Sequence, residues 1–131
     1  MFSDEDRQML VVPWTLIAGD LNNIVAVAGN SIVRTVVANC VLTEIRASAQ
    51  GATAATQFVV TLLRASTVVA TLTSAVPYVA GVIVAATGLN IPLSKGDLLT
   101  VKVSGTDADT DDLFGFIVEA ALQPLANAPS T

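Results

Sequence analysis

Polar and apolar residues alternate most clearly towards the end of the chain. Leu99, Val101 and Val103 alternate with Thr100 and Lys102. Phe114, Phe116, Val118, Ala120 and Leu122 alternate with Gly115, Ile117, Glu119 and Ala121. A period of two predicts strands with one face turned to a core. Earlier stretches read the same way. Residues 57–65 place Phe58, Val60 and Leu62 on one face, and 68–73 place Val68, Ala70 and Leu72 inward. In 40–49, Val41, Thr43, Ile45 and Ala47 share one face and Leu42, Glu44 and Arg46 the other. Residues 24–28, 32–37 and 79–86 add three more strands, and 91–93 is short and irregular. Gly29-Asn30 and Ser66-Thr67 read as turns. No 3.6-residue period is sustained. About eight strands with turn signals every 8–12 residues predict a single all-β domain, a sandwich or a barrel.

The first twenty residues do not alternate. Met9-Leu10-Val11-Val12 and Trp14-Thr15-Leu16-Ile17 flank Pro13, and Gly19-Asp20 signals a turn. The segment reads as an extended arm with room for one edge strand, where proline is tolerated. An apolar arm must pack along its own domain or reach a neighbour. Its candidate partner-binding residues are Met9, Leu10, Val11, Val12, Trp14 and Leu16. The expected division is an N-terminal arm over 1–20, a β-sandwich domain over 21–123 and a C-terminal tail over 124–131.

Composition sharpens this picture. Hydrophobic residues make up 53% of the chain and charged residues 13%, against about 25% charged in a typical soluble domain. Such a surface is expected to meet other subunits. The net charge is -5, and the six basic residues are scattered. Without a basic patch, no nucleic-acid partner is expected. The uncharged stretch 65–94 is long enough to span a membrane. Pro77, Gly81, Gly88 and Pro92 interrupt it, however, and valine and threonine dominate, so strands and no membrane contact are expected. The acidic start, with Asp4, Glu5 and Asp6, does not follow a signal-peptide pattern. A single cysteine, Cys40, cannot form an intrachain disulfide. It reads as a small buried hydrophobe, with a reactive thiol or intersubunit bridge as the alternative.

The candidate chemistry is sparse. There is no histidine, which removes histidine-dependent nucleophilic catalysis and imidazole metal sites. No phosphate-binding glycine loop occurs, and no cofactor is expected. Asp107, Asp109 and Asp111 alternate like the start of a calcium loop, but Asp112 stands where glycine is needed and Val118 where a glutamate is needed. A solvated acidic loop is the expectation, with a looser cation site as the alternative. Glu44, Asp97 and Glu119 are the candidate carboxylates for glycoside chemistry, and no spacing brings two of them together. Glu44 and Arg46 read as an ion pair on a solvated face. Trp14 is open to two readings, interface anchor or packing residue, whereas Tyr78 reads as packing. Lys95-Gly96-Asp97 reads as a turn in which glycine supplies a positive φ and the aspartate caps the backbone. An enzyme is not expected.

Two segments carry a family likeness: 93–101, a Lys-Gly-Asp turn running into an alternating strand, and 114–119, a closing strand after an acidic loop. Together with the Val, Ala and Thr strands they resemble the small jelly-roll modules of tailed-phage structural proteins, over roughly residues 29–122. The resemblance implies a jelly-roll-like antiparallel β-sandwich of about eight strands. The few residues ahead of the first clear strand favour a capsid decoration (cement) protein. That reading implies the outer surface of the capsid as location, after synthesis in the host cytoplasm. It also implies the major capsid protein as partner and a homo-oligomer, a trimer before a dimer. The alternative is a receptor- or glycan-binding head of a phage fibre or spike.

Overall fold

The alternating stretches become strands, and their hydrogen bonds sort them into two antiparallel sheets. The computed structural model describes residues 12–21, 31–52, 57–75, 77–105 and 112–125. Within them run β1 (Val12–Leu21), β2 (Ser31–Thr35), β3 (Cys40–Ser48), β4 (Gly51–Ala52), β5 (Phe58–Arg64), β6 (Thr67–Thr73), β7 (Val84–Ala86), β8 (Ile91–Leu93), β9 (Leu98–Gly105) and β10 (Leu113–Pro124). The first sheet has the order β1-β10-β3-β7, with β4 beside β10 and β8 beside β3. The second has the order β2-β9-β5-β6. The described chain is therefore all-β, with two antiparallel sheets forming a sandwich. The expected strand at 24–28 and the turn Gly29-Asn30 lie outside the described residues, as does most of the acidic loop.

The core lies between the sheets. Phe58, Val60 and Leu62 of β5 and Leu99, Val101 and Val103 of β9 are buried as their spacing predicts. They join Ile45, Ala47, Phe116, Val118 and Ala120 from the first sheet in one cluster. Phe58 meets Phe116 edge-on with ring centroids 5.2 Å apart, which ties one sheet to the other. Burying such side chains stabilises by roughly 1.5–3 kcal/mol each.

Four strands break the strict alternation, each at a bulge, where an extra residue turns the following side chains over. On β1, Thr15 pairs with Glu119 and Ile17 with Val118, so Leu16 is the extra residue and both Leu16 and Ile17 are buried. That is why this segment looked irregular. Val12 to Leu21 is an edge strand of the sheet and packs along its own domain, so the sandwich begins before residue 21. On β3, Leu42 pairs with Leu122 and Glu44 with Ala121. Thr43 is extra, and burial passes from Cys40 and Leu42 to Ile45 and Ala47, so the expected single face of Val41, Thr43, Ile45 and Ala47 is corrected. On β6, Ala70 pairs with Leu62 and Val68 with Leu63. The extra residue Val69 packs against the core and Val68 is exposed, not inward. On β10, Phe114 and Gly115 together face Asp20, leaving Leu113 buried and Phe114 exposed.

Two boundaries also move. The run 79–86 is a strand only at its end, because Gly81 at φ +85° turns the chain before β7. The β5–β6 turn falls on Ala65 and Ser66, one residue earlier than expected, with Ala65 at φ +56°.

Candidate functional site

At one end of the sandwich the first three residues of β1 and the β2–β3 connection form the walls of an apolar groove. Val12, Pro13 and Trp14 pair with Leu122, Ala121 and Ala120 of β10. Pro13 fits there because β1 is an edge strand. The opposite wall is residues 36–39, and Cys40, Leu122 and Pro124 complete the lining. The groove holds about 250 Å³. That is below the roughly 300–1,000 Å³ of a typical small-molecule pocket. An apolar cavity of roughly 150 Å³ accommodates a benzene ring, so this one has room for about two aliphatic side chains.

The 36–39 wall is held in place by backbone hydrogen bonds. Val36 N–H donates to the Asp97 carbonyl at 2.9 Å, and Gly96 N–H donates to the Val36 carbonyl at 2.8 Å. Lys95 N–H donates to Asn39 Oδ1 at 2.9 Å. These bonds reach a turn built by the Lys-Gly-Asp sequence itself. Gly96 sits at φ +94°, Asp97 N–H donates to the Ser94 carbonyl, and Ser94 N–H donates to Asp97 Oδ2 at 2.9 Å. The motif is thus the turn the sequence indicates, and its structural work is to brace the groove. Val37 projects from the braced wall with 81% of its surface exposed.

No lining residue carries a formal charge at neutral pH. The one titratable group there is the Cys40 thiol. Burial, then the nearby Asp97 carboxylate, pushes its pKa above the ordinary thiol range, so the sulfur stays protonated and weakly nucleophilic. What the groove offers is apolar contact with one wall braced by hydrogen bonds.

Of the residues expected to bind a partner, Val12 and Trp14 line this groove. Met9, Leu10 and Val11 lie outside the described residues. Leu16 is wholly buried and cannot present its side chain to a partner. Its carbonyl instead accepts bonds from Arg34 Nε at 3.1 Å and Nη2 at 3.0 Å, which tie the edge strands of the two sheets together. Val36, Val37 and Cys40 were missed as lining residues. Their apolar run reads as the continuation of a strand, but the chain leaves β2 after Thr35 and bends at Ala38, which sets Val37 exposed beside the buried Val36 and Cys40.

Glu44 pairs with Arg46 at 2.5 Å on the outer face of the first sheet, as its spacing suggested. Glu119 is registered directly opposite Arg46, which the sequence did not reveal. Asp97 is at the groove end, engaged in its turn. Tyr78 is a packing residue, buried edge-on against Phe58 at 4.9 Å. Among the described residues no three metal-ligating side chains cluster, and no helix is long and apolar enough to cross a membrane. No known protein family, curated protein or solved structure matches the chain.

Proposed function

We propose that the protein is a non-enzymatic structural protein that decorates a phage head, binding the outer surface of the assembled shell and stabilising contacts between major capsid subunits. The observation that carries the reading is the groove: the concave site is apolar, uncharged and sized for side chains of another protein. Val12, Trp14 and Val37 are its contact residues. We read the strand orders β1-β10-β3-β7 and β2-β9-β5-β6 as the winding of a jelly roll, an architecture shared by viral capsid and lectin domains. Placement on a phage head rests on the resemblance carried by segments 93–101 and 114–119. A glycan-binding head fits the groove less well, since sugar recognition needs several polar groups and this lining offers chiefly the side chain of Asn39.

The energetic logic is mass action. A ligand that binds the assembled lattice and not its free subunits stabilises assembly by an amount that grows with the logarithm of its concentration over its dissociation constant. The test is the copy number of the protein in purified particles, by quantitative mass spectrometry against the main shell protein. A count comparable with the shell protein is expected. A count far below it would replace decoration by a fibre or spike head, and absence would overturn both.

A further inference from the structure

An edge strand carries a row of backbone donors and acceptors with no partner strand, and most edges in this sandwich have features that blunt further pairing. β1 contains Pro13 and a bulge at Leu16. β2 has five residues, and Arg34 on it is engaged with β1. β7 and β8, which flank β3, have three residues each, with Pro92 in β8. β6 is different. It is the outer strand of the second sheet, it has seven residues, and none of them is proline or charged. The bulge at Val69 interrupts its first half and leaves residues 70–73 regular.

The hydrogen bonds of β5 show which groups β6 leaves free. Ser74 N–H donates to the Phe58 carbonyl at 3.0 Å, so Phe58, Val60 and Leu62 turn their backbone groups towards β6. Ala65 N–H donates to the Leu98 carbonyl on the other side, as the alternation requires. On β6, Ala70 and Leu72 therefore bond to β5 opposite Leu62 and Val60. The N–H and C=O groups of Thr71 and Thr73 point away from it. No other described residue bonds to them. Both threonines are exposed, on either side of the buried Leu72. The connection from this edge to β7 adds apolar surface, with Val79, Val82 and Ile83 61%, 48% and 60% exposed. Its backbone is held by the Tyr78 hydroxyl, which donates to the Val82 carbonyl at 2.6 Å and accepts from Ala49 N–H at 2.9 Å.

We propose that β6 of one copy pairs with β6 of a second copy, antiparallel about a two-fold axis at Leu72, so that two four-stranded sheets become one continuous sheet. Thr71 then stands opposite Thr73 of the second copy. Residues in such a pair exchange both of their N–H···O bonds, and the two-fold axis supplies the pair twice. Every free group of Thr71 and Thr73 thereby finds a partner. The occupant is a second copy because this edge complements itself: its donors and acceptors satisfy their own equivalents, and it has no charge to meet a like charge. The contact is isologous and closes on two copies, where the family likeness favours a trimer. β6 lies across the sandwich from the groove, which is built on β1 and β10. Pairing therefore leaves the groove open and does not rest on its reading as a shell-binding site.

The test begins with sedimentation equilibrium of the wild-type chain, which is expected to show monomers and dimers and nothing larger. Thr71→Pro removes an N–H that β5 does not use and sets a ring against the incoming strand. With circular dichroism unchanged, this variant is expected to dimerise about thirtyfold more weakly or worse, since half of the new backbone bonds are lost. A wild-type chain that stays monomeric at its solubility limit would overturn the proposal, as would a trimer or a dimer that Thr71→Pro leaves intact. A second measurement reads the register without a proline. Copies carrying Thr71→Cys are mixed with copies carrying Thr73→Cys under mild oxidation. In the proposed register the two positions are opposed at about 5.5 Å between Cα atoms, within disulfide reach. Position 71 and its own equivalent are diagonal neighbours, roughly 7–8 Å apart. The mixture is therefore expected to cross-link much faster than either variant alone. Equal rates, or no cross-link in a mixture that contains dimers, would show that the copies pair elsewhere and would also overturn the proposal.

Discussion

Two residues with left-handed backbone set opposite limits on substitution. Gly115 lies at φ +57° in the β10 bulge, where its N–H donates to Asp20 Oδ1 at 2.8 Å. A Cβ there would fall 2.7 Å from the Gln50 side chain, whose flexible end can move aside. The backbone conformation therefore dominates the cost, and Gly115→Ala is expected to destabilise by about 1–2 kcal/mol. Ala65 carries the same strain in a wild-type hairpin. Ala65→Gly is expected to stabilise by about 0.5–1 kcal/mol, the strain relief exceeding the extra entropy glycine gives the unfolded chain. Urea midpoints at constant slope read both. Cys40 gives a third expectation at this scale. Its buried thiol, with its raised pKa, is expected to react with iodoacetamide at pH 8 much more slowly than in the urea-unfolded chain. The sign of the linkage follows: the folded state holds its proton longer, so the contribution is full below the unfolded thiol pKa of about 8.5 and is lost as pH rises through the raised folded value.

At the scale of elements, β5 and β9 were legible because each keeps strict alternation from end to end. The bulged strands were not. A bulge is fixed by what the partner strand does opposite it, and nothing local to Thr43 or Val69 announces an extra residue. The groove shares this difficulty: Val12 and Trp14 stood out as apolar residues beside a proline, but Val37 reaches the site only through the pairing of β2 and the brace from residues 94–97. Tyr78 was legible as a packing residue, while the bonds of its hydroxyl, which order residues 79–83, were not. Tyr78→Phe keeps the ring against Phe58 and leaves Ala49 N–H and the Val82 carbonyl without this partner. The expected loss is about 1–3 kcal/mol, with faster amide hydrogen exchange at Gly81 and Val82 than in β5. Unchanged exchange there would show that backbone bonds alone hold the turn.

At the scale of the whole molecule, the distribution of charge decides how association responds to salt. Each copy carries a net charge of -5, so approaching copies repel, and added salt weakens that repulsion as the Debye length shortens from about 30 Å at 0.01 M to about 3 Å at 1 M. The groove holds no charge of its own, so a contact made through it has no ion pair for salt to screen. The same is true of β6. Sulfate, which favours apolar burial, adds to the effect in the same direction. Association measured by sedimentation is therefore expected to strengthen from 0.01 M to 1 M sodium chloride, and further in sodium sulfate. A contact made through surface ion pairs such as Glu44–Arg46 would weaken over that range, because exposed pairs lose their attraction as ionic strength rises. The direction of the salt response thus separates pairing through β6 from pairing through the outer face of the first sheet, and Glu44→Gln is expected to leave it unchanged.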